Sequence, residues 1–168
     1  MVLQETYEIQ DCWVYGIDTT KFIIPSSTTF SSNGEYITAT TDTNGEKIVY
    51  LDKEVTNSDN WIFETEVAQI GTGQSLAVVW NDNSFFGGQS NGDYAVVYSY
   101  MSSRAEQSIS PQIGDKWIVR RENGVTTVSL NDTVIQSLTI SHKSTFKVGY
   151  FINRGRTQYY KNIKFKAL

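Results

Sequence analysis

Two acidic side chains stand where a pair of carboxylates could cleave a glycosidic bond. Glu64 and Glu66 flank Thr65. On a strand they share a face and lie roughly 7 Å apart, from a rise of about 3.3 Å per residue. Glycosidases place an acid and a nucleophile or base across a sugar at comparable separations. The competing reading is two solvated carboxylates on the polar side of an amphipathic strand, and it needs no further partner. Cys12 is the one cysteine and His142 the one histidine. They cannot build an intrachain disulfide, a common Cys/His metal site or a nucleophile–base pair with triad context. Cys12 is therefore expected to be a structural or idle thiol, and His142, in Ser141-His142-Lys143, an exposed turn residue. Asn81-Asp82-Asn83 offers three oxygen-bearing side chains in a row, a donor type that calcium accepts. Adjacent residues make a poor cage, however, and such runs form turns. Arg154 and Arg156 bracket Gly155 and read as a solvated hairpin tip or an anion anchor. What remains is aromatic: Trp80, Tyr98 and Tyr100, with Phe85 and Phe86 between them in sequence. Planar rings stack on ligand faces, while nearby amides and carboxylates hold hydroxyls.

The elements that must position these groups read as strands. Trp61, Phe63, Thr65 and Val67 alternate with Ile62, Glu64, Glu66 and Ala68, a period of two with the first set inward. Leu76 to Trp80 and Tyr94 to Tyr100 are apolar on both parities, as central strands are. Between them, Asn81 to Asn91 reads as a long loop, and long loops on rigid scaffolds carry function. The expected ligand-binding set is therefore Trp80, Asn81, Asp82, Asn83, Phe86, Tyr98 and Tyr100, although either parity of the flanking strands can instead be core. No catalytic residue is expected. Asn-Gly recurs at 33–34, 44–45, 91–92 and 123–124, and it favours the positive φ of tight hairpins. From Lys116 to Phe165 the pattern reads as one uninterrupted antiparallel sheet. Lys161, Lys164 and Lys166 then lie on its solvated edge or face. The fold class that follows is all-β, a two-sheet antiparallel sandwich with almost no helix.

Composition bounds the function. The 168 residues suffice for one domain with a two-sheet core, and no linker or repeat divides residues 1–168. With 39% hydrophobic and 19% charged residues the chain is globular. A net charge of −4 and the lack of any basic run argue against nucleic acid and anionic membrane surfaces as partners. No apolar run of about 18 residues exists, so no membrane insertion is expected. Met1 to Glu5 has neither the basic nor the apolar region of a signal peptide. The expectation is a chain used in the cytoplasm, cut from a longer polypeptide, or assembled into a virion inside a host cell.

Several stretches carry a resemblance. In order they are Asp59-Asn60-Trp61-Ile62-Phe63-Glu64, Leu76-Ala77-Val78-Val79-Trp80 and Gly114-Asp115-Lys116-Trp117. Arg120 with Asn123-Gly124, Leu130-Asn131-Asp132, Val148-Gly149-Tyr150 and a closing Tyr159-Tyr160-Lys161-Asn162-Ile163-Lys164-Phe165 follow. Over residues 58–168 this resembles the concanavalin A-like lectin/glucanase superfamily, in its laminin-G-like branch. Together with Asp11-Cys12 it looks like domains on tail and surface proteins of bacterial and archaeal viruses. The resemblance implies a jelly roll that binds saccharide through a concave sheet and its rim loops. The implied partners are carbohydrate or a host-surface glycan, and other virion proteins if the domain is structural instead. It implies a place on a virion or extracellular surface. It also keeps a third class in view, glycoside hydrolases and polysaccharide lyases. Departures matter here. The glucanase E-x-D-x-x-E becomes Glu64-Thr65-Glu66 without the middle Asp or the last Glu, and Asn162 stands where calcium-binding relatives often carry Asp. No cofactor is expected, with calcium the one ion the resemblance leaves open.

Overall fold

The computed structural model describes residues 7–9, 12–42, 47–53, 55–56, 60–71, 74–81, 84–90, 95–99, 104–107, 111–139, 145–152 and 154–168. The strands in chain order begin with β1 (Tyr7–Ile9), β2 (Cys12–Gly16), β3 (Phe22–Ile23), β4 (Thr28–Ser32), β5 (Ile37–Thr41) and β6 (Lys47–Leu51). Next come β7 (Val55–Thr56), β8 (Trp61–Val67), β9 (Gln74–Asn81), β10 (Ser84–Ser90), β11 (Ala95–Ser99) and β12 (Arg104–Gln107). The last are β13 (Lys116–Glu122), β14 (Val125–Leu130), β15 (Thr133–Thr139), β16 (Thr145–Ile152) and β17 (Thr157–Ala167). The helical element among the described residues is one 3-10 turn, Thr19–Lys21, capped by Asp18. For β9 to β12, backbone path and register are described.

Two antiparallel sheets face each other. The first runs β1-β2-β17-β8-β13-β14-β15, with β5 also on β17 and β4 on β5; the second runs β12-β11-β10-β9-β16-β6-β3, with β7 on β16. The all-β sandwich expected from the period-two strands is therefore present. Two of its hairpins are fixed by residues read from sequence. Asn123 (φ 50°) and Gly124 (φ 80°) close β13 onto β14, and Asn131 (φ 52°) closes β14 onto β15. At Asn33-Gly34 the Asn33 Oδ1 accepts from the N–H groups of Glu35 and Tyr36, at 2.9 and 3.0 Å, and Gly34 takes a φ of 96°. Asn44-Gly45 and Asn91-Gly92 lie outside the described residues.

Two expectations are corrected. The segment from Lys116 to Phe165 is not one sheet: β16 crosses to the second sheet, between β9 and β6, and β17 returns to the first. The residues after β15, Ser141-His142-Lys143-Ser144, contain no hairpin-forming Asn, Gly or Pro, and that was the available signal. β17 then lies inside the first sheet, so its lysines are on a face and not an edge. Likewise, Asn81 to Asn91 is not a long loop. Ser84–Ser90 is a strand paired on both sides, with β9 and β11. Gly87-Gly88 and the serines hid it, because glycine is depleted in strands unless neighbouring backbone supplies the order.

The core is aromatic. Trp61, Phe63, Trp117, Tyr150 and Tyr160 are wholly buried, as expected for Trp61 and Phe63 from the alternation of their strand. The Tyr150 ring stacks on Tyr160 at 4.1 Å between centroids and lies within 6.0 Å of Phe22, Phe30 and Phe63. Such pairs contribute about 0.5–1.5 kcal/mol each beyond burial. Tyr150 Oη donates to Thr65 Oγ1 at 3.2 Å, and Thr65 Oγ1 to the Lys161 carbonyl at 3.4 Å. Gln158 is fully buried. Its Oε1 accepts from Tyr160 Oη and its Nε2 donates to the Phe151 carbonyl at 3.2 Å. Hydrogen bonds thus tie β16 of one sheet to β8 and β17 of the other.

Next to Tyr150, Gly149 lies against β6. A Cβ there would overlap the Val49 carbonyl oxygen and the Tyr50 Cα, which are backbone and cannot swing aside. Gly149→Ala is expected to lower stability by about 1–3 kcal/mol, the cost of overpacking. Urea unfolding measures it. An unchanged midpoint would mean that the β16–β6 pair opens without penalty.

Candidate functional site

Antiparallel register places directly opposed residues on one face of a sheet. In the second sheet one such row crosses seven strands: Ile23, Tyr50, Gly149, Ala77, Gly87, Tyr98, Arg104. The adjacent parity carries the core, with Val49, Val148 and Tyr150 at 1% exposure or less, so this row belongs to the outer face. At its centre three consecutive positions offer nothing larger than a methyl group, and a tyrosine position stands on either side. Tyr50 to Tyr98 spans four strand spacings, about 19 Å at roughly 4.8 Å each. The register thus sets a row of small positions between two tyrosine positions, running across the strands, and this row is termed the trough. Tyr50, Phe151 and Lys147 are half-buried around Gly149, whose own backbone is buried. Lys147 Nζ sits 4.5 Å from the centroid of the Tyr50 ring. The next row over carries Lys147, Val79 and Phe85.

The residues expected at the site fall into different places. Tyr98 is in the outer row, between Gly87 and Arg104. Trp80 is the extra residue of a bulge: β9 pairs Val79 with Phe85 and Asn81 with Ser84, leaving Trp80 between. Bulges re-aim side chains and are common beside ligand sites. Asn81 ends the strand opposite Ser84. Phe86 pairs with Val78, which pairs with buried Val148, so its register position is inward and not in a rim loop. Asp82, Asn83, Tyr100 and His142 lie outside the described residues. Cys12 sits on β2 opposite Lys166. Arg154 and Arg156 are exposed around the turn at Gly155, whose N–H donates to the Asp42 carbonyl at 3.0 Å. Tyr50, Gly149 and Lys147 had no local signal. Their juxtaposition joins segments about a hundred residues apart through β16–β6 pairing. A glycine inside the strongly apolar β16 was the available hint, since strand glycines often mark close approach.

The paired carboxylates are elsewhere. Glu64 and Glu66 lie on the outer face of the first sheet, each closed by a lysine of β17: Lys164 Nζ at 3.3 Å from Glu64 and Lys161 Nζ at 3.1 Å from Glu66. Asn162 Nδ2 also donates to Glu66 Oε2, at 2.7 Å. Burial works to raise the Glu66 pKa, but Asn162, Lys161 and Lys116 outweigh it and hold the carboxyl below its ordinary range. A general acid needs the opposite shift. On the second sheet, Glu106 of edge strand β12 is the sole Asp or Glu within the strands.

No protein-family profile matches the sequence, and no curated protein does. Solved structures do. The carbohydrate-binding module CBM66 from Bacillus subtilis superposes with a TM-score of 0.62 at 10% identity, covering 89% of this chain and 97% of that one. A protein of unknown function with a galectin-like fold, also from Bacillus subtilis, gives 0.64 at 8%, covering 90% and 91%. An alginate lyase from Corynebacterium sp. gives 0.63 at 7%, covering 87% and 83%. The fold is a two-sheet jelly-roll sandwich. At these identities the likeness concerns the jelly-roll fold alone, which carries binding modules and enzymes alike.

The carboxylate–lysine ladder sets a pH response. Because the folded Glu66 carboxyl is depressed, its contribution is present above the ordinary carboxylate value of 4.5 and is lost as pH falls through the folded value. Glu66→Gln should therefore melt below the parent at neutral pH, with the gap closing in acid below about 4.5. A gap that widens on acidification would reverse the assignment.

Proposed function

We propose that this domain is a non-catalytic recognition module that takes a saccharide chain on the outer face of its second sheet. The observation that carries this is the row Tyr50–Gly149–Ala77–Gly87–Tyr98, aromatic positions bounding a floor nearly bare of side chains. Pyranose rings stack on such aromatics, and a bare floor admits a flat chain. The bulge at Trp80 and the strand end at Asn81 border this face, which supports Trp80 and Asn81 as its rim beside Tyr98; Asp82, Asn83 and Tyr100 are proposed there from the sequence alone. Among structural neighbours, the CBM66 module supports binding without chemistry. Two-carboxylate hydrolysis finds Glu106 on the strands of this sheet and no second acid among them. A virion or other extracellular surface, where the domain would attach to host glycans, is the proposed setting. It rests on the sequence resemblance to viral tail and surface domains.

A polysaccharide lyase is the second reading. Tyr98 and Arg104 are opposed in the outer row with Gln89 on the same face. A phenol and a guanidinium suit proton abstraction beside a carboxylate. A structural domain contacting other virion proteins is the third, favoured if no saccharide binds.

Titration of an oligosaccharide identified on a glycan array tests the first reading. One stacked ring should be worth on the order of 1 kcal/mol, about fivefold in affinity. Tyr50→Ala and Tyr98→Ala should each weaken binding by about that factor. Lys164→Ala, on the opposite sheet, should leave it unchanged. Loss of binding in Lys164→Ala alone would move the site to the first sheet. Release of unsaturated product would install the lyase reading.

A further inference from the structure

We infer that the saccharide this face selects is anionic, a chain bearing carboxylate or sulfate groups, and that Lys147 is the residue that selects it; the inference rests on the recognition reading above. Lys147 Nζ lies 4.5 Å from the Tyr50 ring centroid, a cation–π contact on an aromatic that bounds the trough. One face of the ring is thus already covered by an ammonium. A neutral sugar stacking there must displace the cation and leaves it without compensation. A sugar carrying an acid group keeps the cation in place and adds a charge-assisted hydrogen bond.

The surroundings point the same way. Among the described residues Lys147 has no carboxylate partner, whereas Lys161 and Lys164 on the other sheet are each neutralised by a glutamate. Its neighbours in register, Val79 and Phe85, are apolar positions. β6, β16, β9, β10 and β11 contain no Asp or Glu, in a chain with 18 of them. A second cation position, Arg104, ends the same outer row next to Tyr98. It lies five strand spacings from Tyr50, about 24 Å. An acidic protein has thus kept acids off the central strands of one sheet, leaving Lys147 as the cation beside Tyr50, while at the far edge Arg104 shares its face with Glu106.

Isothermal titration with three oligosaccharides of one length and linkage tests this: a neutral glucan, its C6-oxidised glucuronate counterpart and its sulfated counterpart. Both charged chains, or the one whose acid group fits, should bind about tenfold more tightly than the neutral chain at low salt, the value of one charge-assisted contact. The preference should shrink as sodium chloride is raised. Lys147→Gln should remove most of it by weakening the charged chains, with neutral binding tightened because no ammonium then has to leave the Tyr50 ring, and Lys147→Arg should retain it. Circular dichroism confirms that each variant is folded. Equal binding of neutral and charged chains, or a preference that survives Lys147→Gln, overturns the inference and leaves the recognition reading standing. If none of the three binds, the inference falls, and the glycan array decides the recognition reading separately.

Discussion

Tyr150 joins the two sheets through both its ring and its hydroxyl. From β16 its ring stacks on Tyr160 of β17 and meets Phe63 of β8, while its hydroxyl holds Thr65. Burial pushes that hydroxyl well above the ordinary tyrosine range, so it stays a donor throughout the working pH range. Thr65 passes the hydrogen bond on to the Lys161 carbonyl, and Gln158 makes a second tie between β17 and the Phe151 carbonyl. In a sandwich the sheets otherwise meet through non-directional apolar contact, which sets distance but leaves sliding cheap. These directional bonds fix one alignment.

Strand alternation carries that constraint to the surface. Tyr150 points inward, so Gly149 belongs to the outer face, and the register of β16 on β6 and β9 then decides what lies beside it. A slip of one residue would exchange core and surface on that strand. The place of Gly149 beside Tyr50 and Ala77 is therefore set by the core residues that flank it on β16. The two outer faces differ in charge for the same reason. The first sheet spends its cations in a ladder with Glu64 and Glu66; the second leaves Lys147 on an aromatic ring.

What the sequence made legible was local. Alternation in Trp61 to Val67 placed the core face correctly, and Asn123-Gly124 and Asn131 marked real hairpins. The idle carboxylate pair could be read from the polar parity of that strand, but the lysines that close it stand three apart, and only the irregular register around Asn162 brings Lys161 to Glu66 and Lys164 to Glu64. What failed was non-local. β10 was hidden by Gly87-Gly88, and β16 was assigned to the wrong sheet because its apolar residues suit either core. Tyr50 carries no local signal beside Val49, since the residue that gives it meaning, Gly149, meets it only through strand pairing.

β17 also has a bearing on how the chain reaches this state. It lies between β8 on one side and β5 and β2 on the other. A bulge at Asn162, with φ 52°, lets it change partners part-way along. Cys12 is paired with Lys166, about 150 residues downstream, so loop closure must be paid for before that contact can reward it. During synthesis the early strands wait with open edges. The first sheet closes only when β17 has left the ribosome, making this a slow-folding topology with a long window in which unpaired strands need protection from one another.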